Sequence, residues 1–256
     1  MTRATVAALA VALPTAAAMA DPQNISRFAP VQVEDAYATD PGTLQFQGGG
    51  IHTHDPHDRR GEDTWEARPL LRLGVAPGLR FAVTAPYRWG DSSRSGSGDL
   101  DLDLKYNANE QSAWAPALAV MVGHSHPHGG GTRPGEAEAF ARLLATKWLG
   151  EDRSAPRLHL NATWYRATDP APTARRDRYD VGIAYTQLVG PKTALVVDFI
   201  HAQRERRGET QNVVDVGLNH EVAEGLLLGG AVGIGFGAES PDFRAIVALR
   251  KSFRVF

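Results

Sequence analysis

From Thr43 to the end of the chain, apolar and polar residues alternate with a period of two. The clearest run is Gly98–Asn107, GDLDLDLKYN. Leu100, Leu102, Leu104 and Tyr106 share one parity; Asp99, Asp101, Asp103 and Lys105 share the other. Side chains of a strand point alternately to opposite faces, so this run predicts a strand with one apolar and one charged face. The pattern returns in Arg157–Tyr165, Tyr179–Thr186 and Val213–His220. Thr193–Ala202 is less clean: Leu195, Val197 and Phe199 oppose Ala194, Val196, Asp198 and Ile200. Helical periodicity is hard to find, and glycine and proline cluster between the runs, where they mark turns.

About twelve such runs are found, each near the roughly 9–11 residues of a tilted membrane-spanning strand. They are Thr43–Thr53, Trp65–Val75, Leu79–Arg88, Gly98–Asn107, Ala115–His124, Ala137–Leu149, Pro156–Arg166, Arg178–Leu188, Thr193–Arg204, Glu209–Glu221, Leu226–Phe236 and Asp242–Phe256. The sixth, with EAFARLLATKWL, also reads as a short helix on composition. Ala76-Pro77-Gly78, Val189–Lys192 and Ala223-Glu224-Gly225 are tight turns, whereas Trp89–Ser97, Ser125–Glu136 and Ala167–Asp177 are longer and polar. Short turns on one side and long loops on the other are the plan of an outer-membrane barrel. The expected fold is therefore all-β: a transmembrane antiparallel up-and-down barrel, residues 43–256. Trp65, Trp89, Trp114, Trp148 and Trp164 fall at or near predicted strand ends, where interfacial girdles would place them.

Residues 1–20, MTRATVAALAVALPTAAAMA, have one charge at Arg3, an apolar run and Ala18-Met19-Ala20 before a cut. This is the form of a secretory signal peptide. Asp21–Gly42 then precedes the first strand, and two arrangements are open: a plug folded into the lumen or a tail in the periplasm. Phe28, Val31 and Val33 are its apolar anchors. The 27 basic and 29 acidic residues leave a net charge of −2, which argues against a nucleic-acid partner. Zero cysteines exclude disulfides, thiolate metal sites and cysteine nucleophiles. A mean hydropathy of −0.28 suits a soluble protein, but a two-faced barrel averages to the same value.

Four segments carry a family resemblance: Arg27–Gly49, Gly96–Glu110, Thr146–Gly150 and Arg157–Tyr165. Together they resemble the outer-membrane barrels known as phenol-degradation pathway proteins or outer-membrane transporters. The most specific piece is Gly96, Gly98, Asp99, Lys105 and Tyr106. The resemblance implies a barrel that passes small organic molecules, hydrophobic or aromatic, across the outer membrane. The terminal Phe256 resembles the aromatic ending of barrels generally, and it points to barrel-assembly machinery as a partner of the last strand. Arg254 departs from the usual apolar residue two positions before the end. Either the last strand carries a bulge, or Phe256 lies beyond the lipid-facing register.

Inward polar residues are the candidates for contact with a solute. They are Arg72, Arg80, Asp99, Asp101, Asp103, Lys105, His159, Asn161, Asp180, Asp198, Asp215, Asn219, Arg244 and Arg250. They read equally as a charge-lined pore or as an interior packed by paired charges. His52, His54 and His57, with His124, His126 and His128, form two histidine-rich stretches that could bind a divalent metal; no other cofactor is expected. A lipid-hydrolysing barrel is the remaining alternative. His159 and His201 are available to it, with Ser92, Ser93, Ser95 and Ser97 in one loop. No strained nucleophile motif surrounds those serines, so a non-enzyme is expected. The expected partners are outer-membrane lipid and a small solute.

Overall fold

The computed structural model describes residues 21–55, 62–91, 95–127, 137–152, 154–237 and 239–256. The strands are β1 Thr43–Asp55, β2 Glu62–Ala76, β3 Leu79–Thr84 with Tyr87–Gly90, β4 Gly96–Ser97 with Leu100–Asn109, β5 Ala117–His126 and β6 Glu138–Trp148. The others are β7 Arg157–Ala167, β8 Asp177–Gly190, β9 Thr193–Gln203, β10 Thr210–Ala223, β11 Leu226–Phe236 and β12 Phe243–Arg254. β3 is interrupted beside Pro86, which lacks the N–H a ladder needs. Each strand pairs antiparallel with the next, and β1 also pairs with β12, closing a twelve-strand barrel. Closure leaves no unpaired edge, the condition for crossing a bilayer with strands. The segment read as an ambiguous helix is the strand β6.

Consecutive residues show the two faces. Leu104 is 46% exposed and Lys105 1%; Leu143 is 63% and Arg142 3%; Val247 is 65% and Ile246 1%. The outer face is an apolar band, and the charges point inward. Trp65, Tyr87, Trp89, Trp164, Tyr179, Phe236 and Phe243 lie on that outer face toward the end of the barrel opposite the termini. Two tryptophans depart from the girdle expectation. Trp114 sits in the 110–116 connection, almost fully exposed. Trp148 has the inward parity, and the Arg157 guanidinium stacks on it at 4.3 Å.

β12 keeps an unbroken register with β1, from His54↔Phe243 to Thr43↔Arg254. The last strand therefore carries no bulge there, and Phe256 lies past its end. The Val255 N–H donates to the Gly42 carbonyl at 2.7 Å.

The core lies inside the barrel, built around residues 21–37. This inner segment enters at the end that carries the termini, runs up the lumen, turns at Ser26–Val31 and returns to β1. The turn is closed by the Phe28 N–H on the Val31 carbonyl at 2.6 Å and the Ala29 N–H on Ser26 at 2.9 Å. Phe28 has φ of 63°, a costly left-handed conformation for a non-glycine residue. Its ring is held under the Arg68 guanidinium at 3.8 Å and near Arg27 at 5.0 Å. Where the segment leaves the lumen it crosses Gly74, whose Cβ would stand 1.9 Å from the Asp40 carbonyl, so only glycine fits.

Candidate functional site

The lumen is the candidate site. Strand parity turns Arg80 of β3, Lys105 of β4 and Arg142 of β6 toward one point, which Glu34 of the inner segment occupies. Its Oε1 accepts from Arg80 at 2.9 Å and from Lys105 at 3.0 Å, and Arg142 stands 3.9 Å from Oε2. Arg80 also donates to Asp103 at 2.6 Å, and Lys105 to the Asp35 carbonyl at 2.6 Å. Burial works against the Glu34 charge, but Lys105, Arg80, Arg72 and Arg142 outweigh it and hold the carboxyl well below its ordinary pKa. The neighbouring Asp35 is shifted the other way: burial raises its pKa, Lys105 opposes, and the Glu34 charge adds to the rise.

The rest of the wall holds the segment's backbone. Asn161 is a two-way partner of Glu34, accepting from its N–H at 2.9 Å and donating to its carbonyl at 2.7 Å. Thr146 accepts from the Ala36 N–H at 2.9 Å. Asp198 accepts from the N–H groups of Gln32 and Val33 at 2.7 and 3.1 Å. Toward the termini, Arg157 grips Asp21 and Asn24 at 2.8 Å each, Asn219 donates to Pro22, and Arg250 to Asn24. Arg72 holds Gln45 and Gln47 at 3.0 Å and also bonds Ser26. An apolar cluster of Ile25, Val31, Val33, Ala184 and Val196 completes the fit.

Beyond the turn, the inward charges pair with one another. Tyr165 donates to Asp180 at 2.6 Å and accepts from Arg27 at 3.2 Å. Arg178 forks onto Glu138, Arg244 onto Asp215, and Asp101 accepts from Ser125. Asp99 falls between the two pieces of β4. The other thirteen inward candidates have the inward parity of their strands, and most of them hold wall partners or the inner segment. Sequence reading missed Glu34, Arg142, Thr146, Arg157 and Tyr165. Strand parity marks Arg142, Thr146, Arg157 and Tyr165 as inward, whereas nothing in the sequence singles out Glu34 as the shared target of Arg80, Lys105 and Arg142.

His52 and His54 point outward from β1 and both contact Asp63 Oδ1 at 3.0 Å. His124 and His126 point outward from β5, four strands away, with ring centroids 6.3 Å apart. His57 and His128 lie outside the described residues, as do Ser92 and Ser93. Among the described residues no group of three His, Asp or Glu is arranged to hold a metal ion. His159 is buried between the Thr146 and Thr186 hydroxyls at 3.0 and 3.2 Å, and His201 contacts Asn212 at 2.8 Å.

No family model matches the chain, and no curated protein matches it. Solved structures do. The COG4313 outer membrane channel from Pseudomonas putida F1 superposes with a TM-score of 0.63 at 18% identity, covering 86% of this chain and 98% of that one. The fold is that of a twelve-strand outer-membrane barrel. The KdgM porin gives 0.56 at 11% identity, covering 82% of this chain and 99% of its own. The NanC porin gives 0.56 at 8% identity, covering 82% and 98%. At these identities the likeness concerns the fold alone, and a phenol-degradation role is not part of it.

Proposed function

We propose that this chain is a passive outer-membrane channel for small organic molecules, hydrophobic or aromatic ones included, and that it is not an enzyme. The observation that carries the reading is a closed barrel, apolar outside, whose lumen is narrowed by its own inner segment. An apolar outer band needs lipid around it. Occupation of the lumen by residues 21–37 supports small solutes over large ones. Met121, Leu144 and the inward-facing Phe140 pack against Ala36 and Tyr37, so part of the narrowing is apolar.

The test is planar-bilayer conductance and liposome permeation, comparing the mature chain with a variant lacking residues 21–37. The intact protein should pass phenol-sized molecules and exclude disaccharides, and the shortened one should conduct more. Silence of both proteins to ions and solutes would end the channel reading. Recovery of the native protein in the soluble periplasm would end the membrane assignment.

A further inference from the structure

β9 and β10 each turn one aspartate into the barrel at the same level. Asp198 and Asp215 are direct cross-strand partners, 2% and 0% exposed. Side chains so opposed stand about 4.5–5.5 Å apart at Cβ, and like charges there destabilise the ladder. Arg244 of β12 serves only one of them. Its Nε donates to Asp215 Oδ1 at 3.1 Å and its terminal nitrogen to Oδ2. It reaches across β11 because Gly233 has no side chain; a Cβ there would stand 1.9 Å from Asp215 Oδ1.

Among the described residues Asp198 has no such cation. Its Oδ2 takes the Gln32 and Val33 N–H groups, while its buried Oδ1 has no hydrogen-bond partner among the described residues. β8 offers Ala184 at this register position, and Val196 and Ile200 flank Asp198 on its own strand. The inner segment contributes Val33 and two amides. The charged groups facing Asp198 are therefore Asp215 and, beyond it, Arg244.

One guanidinium does not neutralise two buried carboxylates, and the uncompensated charge is costly. A proton would neutralise it. We propose that Asp198 and Asp215 share a proton, carried on Asp198 Oδ1 and donated to Asp215, and that this proton latches the inner segment into the lumen. With the proton present, Oδ2 keeps both amide bonds and Oδ1 gains a partner. Without it, two adjacent carboxylates repel beside the apolar cluster of Ile25, Val31 and Val33. Asp198 then turns toward water, and the bonds to residues 32 and 33 break. Raising the pH loosens the segment; lowering it tightens the hold.

The consequence for passage rests on the channel reading, but the latch is read without any flow of solute. The experiment is hydrogen exchange on residues 30–36 of the mature chain, corrected for intrinsic exchange, in wild type and in Asp198→Asn. Asparagine copies the protonated state permanently: its carbonyl accepts the two amides and its NH2 donates to Asp215. Wild-type protection should fall about tenfold or more between about pH 5.5 and about pH 8.5, the scale of a like-charge pair. Asp198→Asn should keep the low-pH protection throughout. Flat wild-type protection, or an Asp198→Asn protein that follows the wild-type curve, overturns the proposal. Because the variant retains every hydrogen bond of the latched state, it is expected to fold. Bilayer conductance is a separate readout: silence there with a pH-dependent exchange pattern rejects the channel and keeps the latch.

Discussion

The two walls that grip the inner segment do so by opposite means. On β3, β4 and β6 the wall supplies cations, Arg80, Lys105 and Arg142, and the segment supplies the carboxylate of Glu34. At Asp198 and Asp215 of β9 and β10 the wall supplies carboxylates, and there the segment supplies backbone N–H groups. The first wall has more positive than negative charge until Glu34 and Asp35 arrive. The second has more negative charge than Arg244 offsets. One wall reads the identity of a side chain, so a substitution in the segment breaks it. The other reads only chain position, so a substitution in the wall breaks it.

Glu34→Gln is expected to have the largest effect. It leaves three buried cations short of a counter-charge, and breaking a buried pair from one side costs about 3–5 kcal/mol. Exchange protection over residues 25–36 should collapse; retained protection would show that the cationic wall is not the main anchor. Asn161→Ala comes next, at about 2 kcal/mol, because the N–H and carbonyl of Glu34 both lose their partner. Its effect should resemble that of Glu34→Gln and should be absent in the double variant if the two act as one unit. Val33→Ala removes two methylene equivalents from the apolar cluster, about 1.5 kcal/mol. It should lower the melting temperature while leaving the response to pH unchanged, which separates packing from charge on the carboxylate side.

The smallest effect is expected from moderate acid at the cationic wall. The folded Glu34 carboxyl titrates below its unfolded value, so its stabilisation is fully present above about pH 4.3 and is lost only as pH falls through the lower folded value. Protection of residues 34–36 should hold between about pH 7 and about pH 4.5. A loss of protection near the ordinary glutamate range would mean that the cations do not hold Glu34 as described.

The runs that were clean in sequence and those that were not differ for one reason. Leu100–Tyr106 alternates cleanly because β4 faces lipid on one side and polar partners on the other. Thr193–Ala202 is blurred because Val196 and Ile200 point inward onto the inner segment's own cluster with Val31 and Val33. β6 mimics a helix in composition because Phe140 and Leu144 also point inward, against Ala36 and Tyr37. Both blurred strands mark places where the lumen is dry. The candidate charges were legible by parity, since Arg72, Lys105, Asp198 and Asp215 all have the inward phase. Their partners were not, because Glu34 lies 71 residues from Lys105 and nothing local links the two.

The alternation of the chain by itself determined two-faced strands of spanning length and which charges share the face opposite the apolar one. A period-two pattern leaves an apolar face that lipid or a core can cover, and the closure of β1 on β12 is what decides between them. Whether Asp21–Gly42 hangs free or fills the lumen was decided by tertiary structure alone. The choice depends on contacts from nearly every wall of the closed barrel at once, and closure brings together residues that no local pattern connects.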